Sequence, residues 1–300
     1  MNSRKLLLVG FLCLGLIASA GTVSAQRKMM QIKGSDTLVN LVQILAEVYM
    51  AKNPRNPIAV LGGGSGTGIA ALINGTCDIA NHSRPIKDKE LQMAKDNGVT
   101  PHTFVIAVDG LSVIVNQNNP VSRLSIDQIG AMFRGEIKTW KEVGGPDKSI
   151  SLYGRQSNSG TYGFFQEYVL GNQNYSADMK QMNGNAQIVE GVTADKLGVG
   201  YVGVGYVVDA QGNVKKGIKI LKVSKDTDSA AYSPLDKAAI DSGDYPIARG
   251  LLQSTAGGPK GAVLDFITFE LSPEGQKIVE EEGFFPIGAG QMVENTKKLK

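Results

Sequence analysis

From Met30 onward, short apolar runs alternate with stretches of helical periodicity. Residues 31–33 read as a short strand. Leu38, Leu41, Val42, Leu45, Val48 and Tyr49 then recur at helical spacing until Asn53-Pro54 ends the helix. Residues 58–61 read as a strand, 68–73 as a helix, 77–80 as a strand, 87–97 as a polar helix and 102–108 as a strand. This βαβα rhythm predicts a mostly parallel sheet with helices on both faces.

A second unit follows the extended segment 111–116. Its predicted elements are a helix over 126–133, a strand over 150–153, a helix over 161–170, a strand over 187–190, extended chain over 199–208 and a strand over 215–223. The polar tract 224–244 reads as loop with room for one helical turn, and 245–252 is extended again. The end is helical over 261–270 and over 274–282, where Ser272-Pro273 supplies a cap and a first-turn proline. Two crossings, near 111–116 and 245–250, predict a bilobed chain. Residues 26–112 with 247–300 form its first lobe and 113–246 its second.

The segment before this pattern has a different character. Arg4 and Lys5 precede an apolar run over 6–18, and small residues end in Val23-Ser24-Ala25, the three-part layout of a cleavable secretory signal over residues 1–25. The run is short for a bilayer span of ~20 residues. Cys13 lacks a small residue directly before it, which speaks against a lipid anchor, so the expected location is the periplasm. Cleavage before Gln26 lowers the formal charge from +3 to +1 and leaves Cys77 as the sole thiol. That cysteine is expected as a small core residue.

Composition then narrows the chemistry. Two Cys and two His among 300 residues exclude a disulfide scaffold or a multi-Cys zinc site, and a charge near zero gives no nucleic-acid footprint. What remains are Gly/Ser/Thr segments at strand-to-helix junctions: Gly34-Ser35-Asp36-Thr37, the run from Gly62 to Gly68, and Ser157-Asn158-Ser159-Gly160-Thr161. Helix N-termini present unpaired N–H groups, glycine lets backbone approach a ligand, and hydroxyls add rotatable donors. Each segment alone is an ordinary cap or turn; together, with Arg155 before one of them and Arg84 after the strand near Asp78, they point to an oxyanion. The G-x-G-x-x-G match at 198–203 has no helix after it and is read as Gly-rich strand, and Gly62 to Gly68 lacks the Lys-Ser/Thr of a P-loop.

In this order the three segments resemble the phosphate-binding proteins of ABC transporters. Arg155-Gln156-Ser157-Asn158-Ser159-Gly160-Thr161 fits that family's R-x-x-x-S-G-T signature. Ile129, Phe133, Gly135, Ile137 and Trp140 fit a second segment, and Leu271-Ser272-Pro273-Glu274-Gly275-Gln276 is also similar. The resemblance implies a two-lobe periplasmic-binding-protein fold, inorganic phosphate as ligand, an ABC permease as partner, and a monomer with neither cofactor nor catalysis. It implies Arg155, Ser159, Gly160 and Thr161 as second-lobe ligands. Ser35, Asp36, Thr37, Ser65, Ser83 and Arg84 are the expected first-lobe set. Ser83 stands where many members carry an aspartate that accepts the proton of hydrogen phosphate, and Asp36 is the nearest candidate to replace it. That departure keeps sulfate or molybdate open as ligand. A secreted phosphoester hydrolase with Ser159 or Ser65 as nucleophile is the alternative from another class.

Overall fold

The computed structural model describes residues 29–209 and 211–299; the signal segment and Cys13 lie outside them. The chain runs β1 (Met30–Gly34), α1 (Val39–Lys52), β2 (Ile58–Leu61), α2 (Ser65–Ile73), β3 (Ile79–His82), α3 (Asp88–Asp96) and β4 (Pro101–Gly110). It then crosses into β5 (Ser112–Asn116), β6 (Arg123–Ser125), α4 (Ile126–Arg134), β7 (Ser151–Arg155), α5 (Gly160–Tyr168), β8 (Lys180–Met182), α6 (Asn185–Ala194), β9 (Gly198–Val202), β10 (Ile218–Ile220), β11 (Lys222–Ser224) and α7 (Lys237–Ser242). It returns through β12 (Ala248–Ala256) and ends in α8 (Ala262–Glu270), α9 (Pro273–Glu281) and α10 (Ala289–Lys298).

Two five-stranded sheets result, ordered β2-β1-β3-β12-β4 and β10-β5-β9-β7-β8, with β6 and β11 as a separate pair. The βαβ units give the expected parallel pairings of β1 with β2 and β3, and of β7 with β8 and β9. The strands next to the crossings add antiparallel ones: β12 against β3 and β4, and β5 against β9 and β10. Each lobe is therefore a mixed sheet flanked by helices.

The helices form where the pattern and caps agree. Leu41, Val42, Leu45 and Tyr49 of α1 are all buried, and the Asn53 N–H closes on the Tyr49 carbonyl where the helix stops. In α4 the Ser125 hydroxyl accepts from the Gln128 N–H at 3.2 Å while Gln128 accepts from the Ser125 N–H at 3.0 Å, a reciprocal cap worth ~1 kcal/mol. Ser272 caps α9 through the Gly275 N–H, with Pro273 in the first turn.

Two expectations change, and two elements were not expected at all. Residues 187–190 lie inside α6, not in a strand: Ile188 and Val192 bury one face of that helix against β9, so tertiary packing overrides the β-branched run. The stretch 215–223 divides into β10 and β11, which pair with different strands. The helix α10 and the short strand β8 lacked a strong pattern. The Gly-rich run is strand, as expected: a Cβ on Gly200 would sit 2.5 Å from Ile188, so glycine is what lets β9 lie flat under α6. Cys77 is a core residue beside Ala71, Leu72 and Ala80, just ahead of β3, and burial pushes its thiol up to about 12. Among the described residues no helix is long and apolar enough to cross a membrane.

Candidate functional site

The three expected loops meet, joined by hydrogen bonds between the first-lobe and second-lobe segments. Ser35 follows β1 and hydrogen-bonds through its backbone N–H to the Asn81 carbonyl of β3 at 2.8 Å. Its hydroxyl donates to Ser83 Oγ at 3.0 Å, and Ser83 Oγ lies 3.4 Å from Ser65 Oγ at the start of α2. Ser65 in turn accepts the Ser83 N–H at 3.1 Å, which leaves its own hydrogen free to donate. All three serines are buried.

From the second lobe, α5 points its N-terminus into this group. Ser159 caps it, accepting from the N–H groups of Thr161 and Tyr162. Gly160 packs so closely that a Cβ there would come within 2.1 Å of Ser65 Oγ and 2.6 Å of Ser83 Oγ. Thr161 Oγ1 is 3.0 Å from Thr37 Oγ1. The Gly-rich loop is clamped from the same side, since the Gly66 N–H donates to the Asn158 carbonyl at 3.0 Å and Asn158 Nδ2 to the Gly63 carbonyl at 2.9 Å.

Arg155, at the end of β7, is 1% exposed. Its backbone N–H is fixed by the Tyr201 hydroxyl at 3.2 Å, and Tyr201 is stacked on Phe165 with ring centroids 4.0 Å apart. The guanidinium donates from Nη2 to the Asn183 carbonyl at 2.8 Å and to Asp36 Oδ2. Its Nε is buried without a hydrogen-bond partner. Asp36 also accepts the Gly63 N–H at 2.9 Å, and its backbone carbonyl accepts from the Tyr206 hydroxyl at 2.6 Å. Burial, with the Asp36 carboxylate nearby, pushes the Tyr206 hydroxyl up to about 12, so it stays a donor at neutral pH.

Arg84 is placed differently. Its guanidinium forks onto Glu90 at 2.8 and 2.7 Å and also reaches the Pro85 carbonyl, while its stem lies against Gly163. Burial raises the Glu90 carboxyl, but Arg84 and the Lys87 N–H outweigh it and hold it below its ordinary value. His82 is wholly buried, with Nδ1 2.7 Å from the Arg84 carbonyl and Nε2 2.7 Å from Ser254 Oγ, and burial lowers it to about 4.

Asp109 and Arg249 were not singled out by the sequence, although both lie in the site. They are cross-strand partners on β4 and β12. Asp109 Oδ2 accepts from Arg249 Nε at 3.0 Å and Nη2 at 2.8 Å. Arg249 also donates to the Ser83 carbonyl at 3.1 Å and to Thr161 Oγ1 at 3.0 Å. The available signal was a charged residue at the end of each apolar crossing strand, where burial obliges it to find a partner. Asn158 was quoted within its motif but given no role, and Tyr206 was passed over, because one polar side chain taken alone carries no directional information.

Known proteins resemble this chain along most of its length. The PBP superfamily domain matches residues 19–274. The phosphate-binding protein PstS of Pseudomonas aeruginosa is 31% identical over 283 residues, spanning 89% of this chain and 85% of the relative. Its Staphylococcus haemolyticus counterpart is 33% identical over 275 residues, spanning 89% of this chain and 84% of the relative. Among solved structures, a substrate-binding protein assigned to a phosphate ABC transporter of Clostridium perfringens, determined with bound phosphate, matches with a TM-score of 0.76 and 28% identity. That match spans 87% of this chain and 100% of that one. An ABC-type phosphate transport receptor from Vibrio cholerae matches with a TM-score of 0.68 and 29% identity, over 86% of this chain and 100% of that one. With the two-lobe fold, the R-x-x-x-S-G-T corner and these relatives together, the chain belongs to the PBP superfamily and, within it, to the PstS family of phosphate-binding proteins.

Proposed function

We propose that this chain captures inorganic phosphate between its lobes and delivers it to the membrane permease of an ABC transporter. In this reading residues 1–25 direct export and are removed, and the mature protein works in the periplasm as a monomer that performs no reaction. The first lobe is 26–112 with 247–300, the second 113–246. Ser35, Thr37, Ser65, Ser83, Ser159, Gly160 and Thr161 supply neutral donors, Arg155 supplies the charge, and Asp36 screens the ligand's protonation state. Arg84 is buried and committed to Glu90, so it borders the ligand without facing it.

The observation that carries this reading is Arg155. A guanidinium that is 1% exposed, with Nε lacking any partner, is costly unless a ligand satisfies it. It sits among hydroxyls and a helix N-terminus, the groups suited to a dehydrated oxyanion. Ser159 serves as a helix-cap acceptor with its hydrogen left to donate, which suits holding an oxygen atom.

The test is titration calorimetry on refolded, anion-stripped mature protein with phosphate and then sulfate. One-to-one binding of phosphate with sulfate silent is expected. Equal binding of both would shift the ligand class to oxyanions in general, and silence to both would remove the receptor reading.

A further inference from the structure

Each lobe is joined to the other by two crossings, and both pass one point. The Leu111 N–H donates to the Ile247 carbonyl at 3.1 Å and the Tyr245 hydroxyl to the Leu111 carbonyl at 2.6 Å, so the crossings are tied together. One residue before Gly110 and two residues after Ile247 stand Asp109 and Arg249. Their side chains are 0% and 3% exposed.

This pair does more than neutralise itself. Asp109 Oδ1 accepts the N–H of Val204, a second-lobe residue, at 2.7 Å. Arg249 spends its donors in three directions: onto Asp109, onto the Ser83 carbonyl of the first lobe and onto Thr161 Oγ1 of the second. Its guanidinium carbon also lies 5.2 Å from the centre of the Phe164 ring on α5. Every one of these contacts except the ion pair itself reaches from the crossings to an element of the cleft.

Proton accounting gives the consequence for the ligand. Because Thr161 Oγ1 accepts from Arg249, its own hydrogen must point elsewhere, toward Thr37 Oγ1 or toward an oxyanion oxygen. We infer that Asp109 and Arg249 form the closure latch of this receptor: a buried pair at the crossings that holds both lobes together and commits the Thr161 hydroxyl to donating. Arg249 is a positioning residue here, acting through Ser83 and Thr161. The inference rests on the receptor reading above.

Arg249→Lys tests it. A lysine retains the charge and can keep Asp109, but its single ammonium cannot also reach the Ser83 carbonyl and Thr161 in the geometry of a planar fork. Phosphate affinity by calorimetry is expected to fall about 10- to 100-fold, the range for losing one or two charge-assisted hydrogen bonds. Small-angle scattering at saturating phosphate should show a larger radius of gyration than wild type, while the anion-free variant unfolds within a few degrees of wild type. A role confined to core stability would lower the unfolding temperature and leave both phosphate affinity and closure unchanged, and that result overturns the latch.

Should R249K not fold, the neutral pair D109N with R249Q, which buries no unpaired charge, carries the same expectations. Failure of both to fold assigns the pair to the core and also overturns the inference. Wild-type protein that ignores phosphate and sulfate defeats the receptor reading and the latch with it. Wild type that binds while R249K binds equally well defeats the latch alone.

Discussion

Replacing Asp36 by Asn changes one carboxylate to an amide of the same shape, and it isolates the question of how the cleft tells phosphate from sulfate. Asp36 holds the Gly63 N–H with one oxygen and the Arg155 guanidinium with the other, and its side chain is 21% exposed, on the open side of the site. Removing its charge has two consequences. Arg155 loses its counter-charge and attracts any dianion more strongly, by ~4 kcal/mol per unit charge at ~4 Å and an effective dielectric of ~20, less what solvent at this edge screens. That gain is common to phosphate and sulfate. The second consequence is not shared: monohydrogen phosphate loses an acceptor for its P–O–H group, whereas sulfate loses only a repulsive neighbour. A hydrogen bond to a charged group contributes ~1.5–3 kcal/mol, so the ratio of sulfate to phosphate dissociation constants should collapse by ~10- to 100-fold. The assay is paired calorimetric titration of wild type and D36N with both anions at slightly alkaline pH, where the dianion of phosphate dominates. A ratio within about twofold of wild type, in a variant that folds normally, would refute Asp36 as the selecting group.

Two further perturbations follow from packing and burial. Gly160→Ala places a methyl group 2.1 Å from Ser65 Oγ and 2.6 Å from Ser83 Oγ; phosphate heats should vanish in calorimetry while the unfolding temperature without phosphate stays near wild type, and retained tight binding would contradict the close approach. His82 is held neutral, its value lowered from 6.5 to about 4 by burial, so the unfolded chain takes up a proton first as pH falls. Stability is therefore complete above about 6.5, declines between there and about 4, and loses ~3 kcal/mol in all. Urea midpoints at both ends of that window should differ more in wild type than in His82→Gln, and equal differences would remove His82 as the cause.

The parts of this fold that could be read from sequence are those in which local chemistry and packing agree. α1 has an uninterrupted apolar stripe, α9 has Ser272-Pro273, and the glycine and hydroxyl loops lie where strands hand over to helices. Residues 187–190 misled because Ile188 and Val189 favour strand in isolation, and only the bare surface of β9, made by Gly200, calls for a helix above it. β8 is three residues long and gains its identity from β7 alone. At the site, the loops carrying Ser35, Thr37, Ser65, Gly160 and Thr161 stood out because their residue types suit anion contact wherever they stand, and Ser83 entered only through the family resemblance; the structure brings all six together. Asp109 and Arg249 are separated by 140 residues and meet through strand register. Neither says anything about the other until β4 and β12 are paired.

The charges in the cleft also explain why hydroxyls dominate it. Arg155 is balanced by Asp36 and Arg249 by Asp109, so the site presents two neutralised pairs and little net attraction for a dianion at a distance. Selectivity must then arise at contact, from the number and direction of donors. The hydroxyls already bond one another, Ser35 to Ser83, Ser83 beside Ser65, and Thr37 to Thr161 across the lobes. Such neutral bonds contribute ~1 kcal/mol each, and bonds to an anion are about twice as strong. An entering oxyanion would exchange weak bonds for strong ones without requiring new groups to be ordered, each exchange being worth a further ~1 kcal/mol, and those to donors of both lobes would favour closure. An oxygen that carries a proton cannot accept from these donors, and it needs a carboxylate instead; Asp36 is the carboxylate bonded directly to Arg155. If Asp36 is the selecting group, the arrangement rewards a tetrahedral anion with several bare oxygens and one protonated oxygen, which is the monohydrogen form of phosphate.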